Sequence, residues 1–181
     1  MLQITIPAVN RAWDEAKQEF VSFKGQTLQL EHSLVSLSKW EQKWHKPFLS
    51  KEEKTLEETI DYIKCMTLTQ NVKPEVYMFL TPENIEQINR YIEDPRTATT
   101  FPNEKSKTGT REVITNELIY YWMIALNIPQ EYQKWHLNHL LTLIRVCNAK
   151  NAPAKKLSKE EIRRRNRELN EQRRKQLNTT G

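Results

Sequence analysis

Histidines at positions 136 and 139 lie three residues apart in "YYWMIALNIPQEYQKWHLNHLLTLIRVC", residues 120–147, and Cys147 closes the same stretch. On a helix that spacing is about one turn, so both imidazoles can face one ion. Zinc asks for about four ligands and usually a recognisable second pair. Cys147 stands about two turns beyond His139, too far along the axis for the same ion. The remaining histidines are His32 and His45, and nothing in their spacing requires them to join. The residues favour a buried or half-buried histidine pair bonded to carbonyls and side chains, with no metal and no cofactor.

Other routes to chemistry are weaker still. The chain has no glycine-rich phosphate loop, no G-x-S-x-G and no H-E-x-x-H. Cys65 and His45 would act as a nucleophile pair only through a tertiary contact that spacing does not supply. Carboxylate pairs such as Glu52/Glu53 and Glu57/Glu58 are expected on solvated helix faces. No catalytic residue is assigned, and the chain reads as a non-enzyme.

The element expected to position the histidines is a helix over 129–147, with Pro129 in its first turn. Projected at about 100° per residue, Tyr132, His136, Leu137, Leu140, Leu143, Ile144 and Cys147 share one broad face. Trp135, His139, Leu141 and Val146 sit at its edges. Glu131, Lys134, Asn138, Thr142 and Arg145 form a narrow polar strip. A preceding helix over 111–126, separated by "NIP", makes an antiparallel helical hairpin the simplest outcome. Trp122, His136, Leu140, Leu143, Ile144 and Cys147 are assigned to the core, with His136 inward and His139 at the edge.

Upstream, the chain opens as β. "LQITI" alternates, and "QEFVSF" and "QTLQLEHSL" flank "KG", which predicts a hairpin turning at Gly25. Leu28, Leu30, His32 and Leu34 then share one face. "VNRAWDEAKQ" is read as a short helix before that hairpin, as an alternative to strand. Helices follow, with capping-box spacings at Ser38/Glu41 and Ser50/Glu53. Leu56, Ile60, Ile63 and Met66 or Thr67 carry one apolar stripe, and Ile85, Ile88 and Ile92 another. Thr81 and Pro82 start the latter helix. Residues 94–110 form the longest expected loop. The fold class is mainly α (α+β): a β-rich segment 1–36, a helical core 37–149 and a basic helical tail 150–181.

Composition limits the setting. With only Cys65 and Cys147, a disulfide framework is not expected, and reduced thiols suit a cytosol. The N-terminus lacks the layout of a signal peptide. Polar residues interrupt the best apolar run, so no membrane span is expected. The net charge of +5 is unevenly placed: residues 150–181 hold eleven Lys/Arg against four Asp/Glu, while residues 1–149 hold seventeen against nineteen. Any electrostatic role belongs to the tail.

The tail sequence "SKEEIRRRNRELNEQRRKQL" repeats the cap spacing at Ser158/Glu161 and predicts a helix. Its apolar stripe is thin: Ile162, Leu169 and Leu177, with Asn166 and Arg173 on the same side. Glu161/Arg165 and Glu168/Arg164 support a solvated helix. Arg163, Arg164, Arg165, Arg167, Arg173, Arg174 and Lys175 are the candidate binding residues, for an acidic or coiled-coil protein partner or for a phosphate backbone. The protein partner is the favoured reading and nucleic acid the alternative. No aromatic residue lies beyond Trp135, which removes base stacking by the tail.

Three stretches, "LEHSLVSLSKWEQKWHKPFL", "EETIDYIKCMTLTQNV" and "ITNELIYYWMIALNIPQEYQKWHLNHLLTLIRVCNAKNAP", resemble a family of small proteins encoded in tailed bacteriophages and prophages. Its genes often lie near those for the tail tube and the tape-measure protein, and its members are sometimes labelled tail assembly chaperones. The resemblance covers most of residues 28–178. It implies a non-enzymatic role in virion morphogenesis. The partner it implies is the tape-measure protein, or another tail protein, met in the host cytoplasm, with self-association open. The alternative it leaves is a structural virion component of the tail or head–tail junction that contacts DNA through the basic helix. The family offers no motif with binding residues to carry over.

Overall fold

A computed structural model describes residues 1–14, 18–101, 113–152 and 159–177. The fold is mainly α, and the strands among the described residues lie in the N-terminal segment and pair antiparallel. Contacts divide the chain into two compact units, Met1–Asn148 and Ala149–Gly181.

Strand β1 (Leu2–Ile6) pairs antiparallel with β4 (Gln26–Leu30), and β2 (Val9–Asp14) with β3 (Glu19–Phe23). The predicted hairpin turning at Gly25 is therefore not formed. Ile6 faces Gln26 and Val9 faces Phe23, so one register runs through both ladders before a shift between Val9 and Ala12. The strands make one long ribbon, interrupted at Pro7–Ala8 and Lys24–Gly25. Gly25 supplies a positive φ (+77°) at that interruption, and a Cβ there would stand 3.0 Å from both Ala8 N and Ile6 O. The turn signal was real, but it marks a break in a strand. "VNRAWD" extends as strand β2 where a helix was the alternative, and residues 15–17 lie outside the described residues.

Alternation places Ile4, Ile6, Leu28 and Leu30 on the buried face of the ribbon's base. The edge of β4 continues into the segment after helix α2 (Leu56–Met66): Glu31 N donates to Met66 O, Leu68 N to Gln29 O, and Leu30 bridges Thr67. Those bonds occupy main-chain groups that would otherwise form an open sheet edge.

Helix α1 (Leu34–Trp44) starts five residues earlier than Ser38 suggested. Ser33 is its N-cap, in a capping box with Ser36. Ser38 sits inside the helix. Likewise α2 is capped by Thr55 with Glu58, not by Ser50 with Glu53. Both expected boxes have correct spacing, but the chain preceding them is already committed to other contacts. Leu56, placed on the α2 stripe by its period, is 76% exposed, whereas Ile63 and Met66 are buried. A 3₁₀ segment, Pro74–Phe79, leads to α3 (Pro82–Glu93), where Thr81 is the N-cap and Pro82 the first residue, as expected. Asn84 Nδ2 donates to Thr5 O and ties α3 to β1.

Helix α4 (Asn116–Ala125) is shorter than the expected 111–126, and residues 102–112 lie outside the described residues. The single helix expected over 129–147 is divided. Gln130–Lys134 is a 3₁₀ segment, and α5 (Leu137–Asn151) begins only after His136. The cause is long-range: His136 forms an antiparallel bridge with Ser33, and Leu137 N donates to His32 O at 2.7 Å. An extended residue at 136 cannot continue a helix. One apolar core unites residues of β1, β4, α1, α2, α3, α4 and α5, from Ile4 to Ile144, so the β-rich segment and the helices are covered by the same side chains.

In the second unit, α6 (Lys159–Leu177) is one helix without a buried residue. The Ser158 cap lies outside the described residues. Among the described residues, no helix is long and apolar enough to cross a membrane.

Candidate functional site

His32 and His136 meet where the ribbon, α1 and α5 converge. Their ring centroids are 5.2 Å apart at an interplanar angle of 66°. Both side chains are buried. His32 Nδ1 lies 2.5 Å from the Tyr62 hydroxyl. Burial pushes the Tyr62 hydroxyl pKa upward, so that oxygen keeps its proton and can donate to Nδ1 in the tautomer with the His32 proton on Nε2. Burial, reinforced by His136, pushes the His32 pKa down to about 3.

His136 is held by main chain on both sides. Its Nε2 is 2.9 Å from Tyr91 O, which can only accept, so Nε2 carries the proton. Its Nδ1 accepts from Asn138 N at 3.3 Å, in the manner of a helix N-cap at the start of α5. Burial again lowers its pKa, against the raising effect of the Tyr91 carbonyl. Tyr91 stands edge-on to the ring at 4.9 Å, and its hydroxyl donates to Glu31 Oε1. With both nitrogens engaged, His136 orders the start of α5 and presents no free lone pair.

The partner proposed by spacing goes elsewhere. His139 is exposed and stacks on Trp135, with ring centroids 4.7 Å apart and planes at 18°. His45 is an exposed C-cap of α1 in the left-handed region. Among the described residues, no three His, Cys, Asp or Glu side chains gather around a common point suited to an ion. The Cys65 thiol pKa is pushed up by burial, the opposite of what activates a nucleophile.

The carboxylates depart further from expectation than the histidines. Glu58, expected on a solvated face, is 2% exposed. Its Oε1 takes a hydrogen bond from Lys46 Nζ at 2.6 Å and its Oε2 one from Thr55 N. Lys46 and the Thr55 amide hold its pKa below the usual carboxylate range. Glu41 is also buried. Oε1 accepts from Phe48 N, and Oε2 from both Asn116 N and Asn116 Nδ2, all within 2.7 Å. A carboxylate at the first residue of α4 meets the positive end of that helix. Glu41 thus clips α1 to the following loop and to α4. These groups are consumed in holding the fold.

The residues assigned to the core divide by depth. His136, Leu140 and Ile144 are buried, while Trp122, Leu143 and Cys147 are half-buried. Arg163, Arg164, Arg165, Arg167, Arg173, Arg174 and Lys175 are all exposed on α6. Arg164 Nε lies 3.8 Å from Glu168 Oε1, the helical pair expected from the sequence.

Sequence reading did not single out the outer face of α4. Ile119 and Met123 point into the core, yet Tyr121 is 63% and Ile124 76% exposed, beside half-buried Leu118 and Trp122. The helix "NELIYYWMIA" contains no cation and one carboxylate. Its uniform apolarity was the available signal: a helix apolar on every side either lies wholly inside or leaves a sticky face outside.

Comparison with protein-family models, with curated proteins and with solved structures returns no match to this chain.

Proposed function

We propose that the protein is a non-enzymatic bacteriophage tail assembly factor that binds the tape-measure protein in the host cytoplasm during tail morphogenesis. The three resembling stretches motivate this reading. The observation that carries it in the folded chain is the exposed Tyr121 and Ile124 pair on α4, a helix with no cation. A chaperone for a long amphipathic chain needs a modest apolar surface on an otherwise polar exterior. Tyrosine suits such a surface, since it buries a large ring while its hydroxyl tolerates water.

Co-expression with the tape-measure protein of the same genome tests the reading. A co-purifying complex is expected, and Tyr121→Asp with Ile124→Asp should abolish it while leaving the protein folded. Absence of a complex, together with normal tails in phage lacking this gene, would sink the proposal. A second reading, a structural component of the virion, is favoured by the strongly basic α6, in which no residue is buried. It predicts stoichiometric presence in purified particles, from which an assembly chaperone is absent.

A further inference from the structure

The charges of α6 are sorted around its circumference. At about 100° per residue, Glu160, Glu161, Glu168 and Glu171 all fall within an arc of about 100°. Arg164 and Lys175 share that arc, and Arg164 faces Glu168 there. The rest of the circumference, more than half of it, carries Lys159, Arg163, Arg165, Arg167, Arg173 and Arg174 and no carboxylate. Between those cations lie Asn166, Asn170 and Gln176, together with the apolar Ile162, Leu169 and Leu177. A helix solvated on all sides gains nothing from this sorting, because i,i+4 pairs are worth the same wherever they fall.

We propose that α6 is a duplex-DNA-binding helix that lies in the major groove on its carboxylate-free side. The inference concerns α6 alone and does not depend on the tail-assembly reading. A helix in a groove has phosphates along both flanks and base edges beneath it, so more than half its surface must be free of negative charge. Arg165 on one flank and Arg167 on the other are placed for the two strands. Asn166, Asn170 and Arg173 lie between them, of the types that pair with adenine and guanine edges. Ile162, Leu169 and Leu177 share that strip, where an apolar side chain can meet a thymine methyl. Arginine outnumbers lysine six to two along the helix, which suits bidentate contact with phosphate. The helix spans about 28 Å, close to one turn of DNA.

The same face argues against the other polyanions. A coiled-coil partner needs an apolar seam, whereas the positions between Ile162, Leu169 and Leu177 hold Asn166 and Arg173. A-form RNA presents a major groove too deep and narrow for side chains to read. B-form DNA admits the helix.

The test uses the full chain and a labelled mixed-sequence DNA duplex of about one and a half to three helical turns. Affinity should fall roughly a hundredfold or more between about 50 and about 200 mM salt, as expected for several phosphate contacts. Arg163→Ala with Arg167→Ala should weaken binding at least about tenfold. Arg164→Ala with Lys175→Ala removes the same charge from the acidic side and should weaken it less than about threefold. Alanine preserves the helix, which circular dichroism verifies. Equal losses in the two variants, no binding at low salt, or tighter binding to an RNA duplex or to polyglutamate each overturn the proposal.

Discussion

His136 stands edge-on against His32, 5.2 Å away between centroids, and each ring is fixed by a different tyrosine: His32 by the Tyr62 hydroxyl, His136 by the Tyr91 carbonyl. Phe48 lies 6.4 Å from His32 between ring centroids, while Glu31, Asp94 and Arg96 supply the charges around His136. Two imidazoles in such contact cannot both be protonated without repulsion, and burial disfavours protonating either.

Acid should therefore unfold this protein through its histidines. Below about pH 6.5 the unfolded chain takes up a proton at His32 that the folded chain refuses until about pH 3. Stability falls as pH drops through that window, by on the order of a few kcal/mol. Urea midpoints at neutral pH and near pH 4.5 measure the loss. His32→Gln should lower stability at neutral pH but flatten the dependence. A slope unchanged by that substitution would place the titrating group elsewhere.

Glu41 offers a second target. Glu41→Ala leaves the Phe48 and Asn116 amides buried without an acceptor, and should cost about 3 kcal/mol. Glu41→Gln retains one acceptor and should cost less. Thermal denaturation distinguishes them, and a neutral alanine variant would show that water replaces the carboxylate.

At Gly25, alanine meets two backbone atoms at 3.0 Å and a positive φ. Gly25→Ala should destabilise by about 1–3 kcal/mol. If 25 were the tip of an open turn, the variant would be tolerated. The equilibrium midpoint in denaturant decides between the two.

Depth separates the residues along α5. Leu140→Ala, at a fully buried site, should cost about 3 kcal/mol, whereas Cys147→Ala, half-buried near the helix end, should cost less than about 1 kcal/mol. Equal costs would mean that α5 is covered more evenly than its exposures imply.

What could be read from the chain followed local rules. Leu140 and Ile144 are legible because a 3.6-residue period survives in sequence, and Thr81 with Pro82 because a cap and a preformed φ act within one turn. His136 is buried through its bridge to Ser33 and not through that period. The failures have other causes. S-x-x-E occurs at Ser38 and Ser50, but Thr55 with Glu58 has the same spacing and Ser33 caps with Ser36, so several local boxes compete and spacing alone does not rank them. The helix over 129–147 was divided by a bridge to Ser33, invisible to any local window. Charge type alone puts Glu58 on a solvated face, and cap spacing alone pairs Glu41 with Ser38. Their actual partners are Lys46 and Thr55 for Glu58 and Phe48 and Asn116 for Glu41. The outer face of α4 was passed over because its apolar residues all looked like core.

The bond from Leu137 N to His32 O joins residues roughly a hundred positions apart in the first unit. It sets an order of events during synthesis. The β ribbon can zip as soon as its strands are free, since its pairs are local. The pocket around His32 stays open until the start of α5 leaves the ribosome and supplies the missing wall. Until then, His32 lacks the ring of His136 against which it packs. A nascent chain stalled before His136 should accordingly be prone to capture by general chaperones, and one extended past α5 should not.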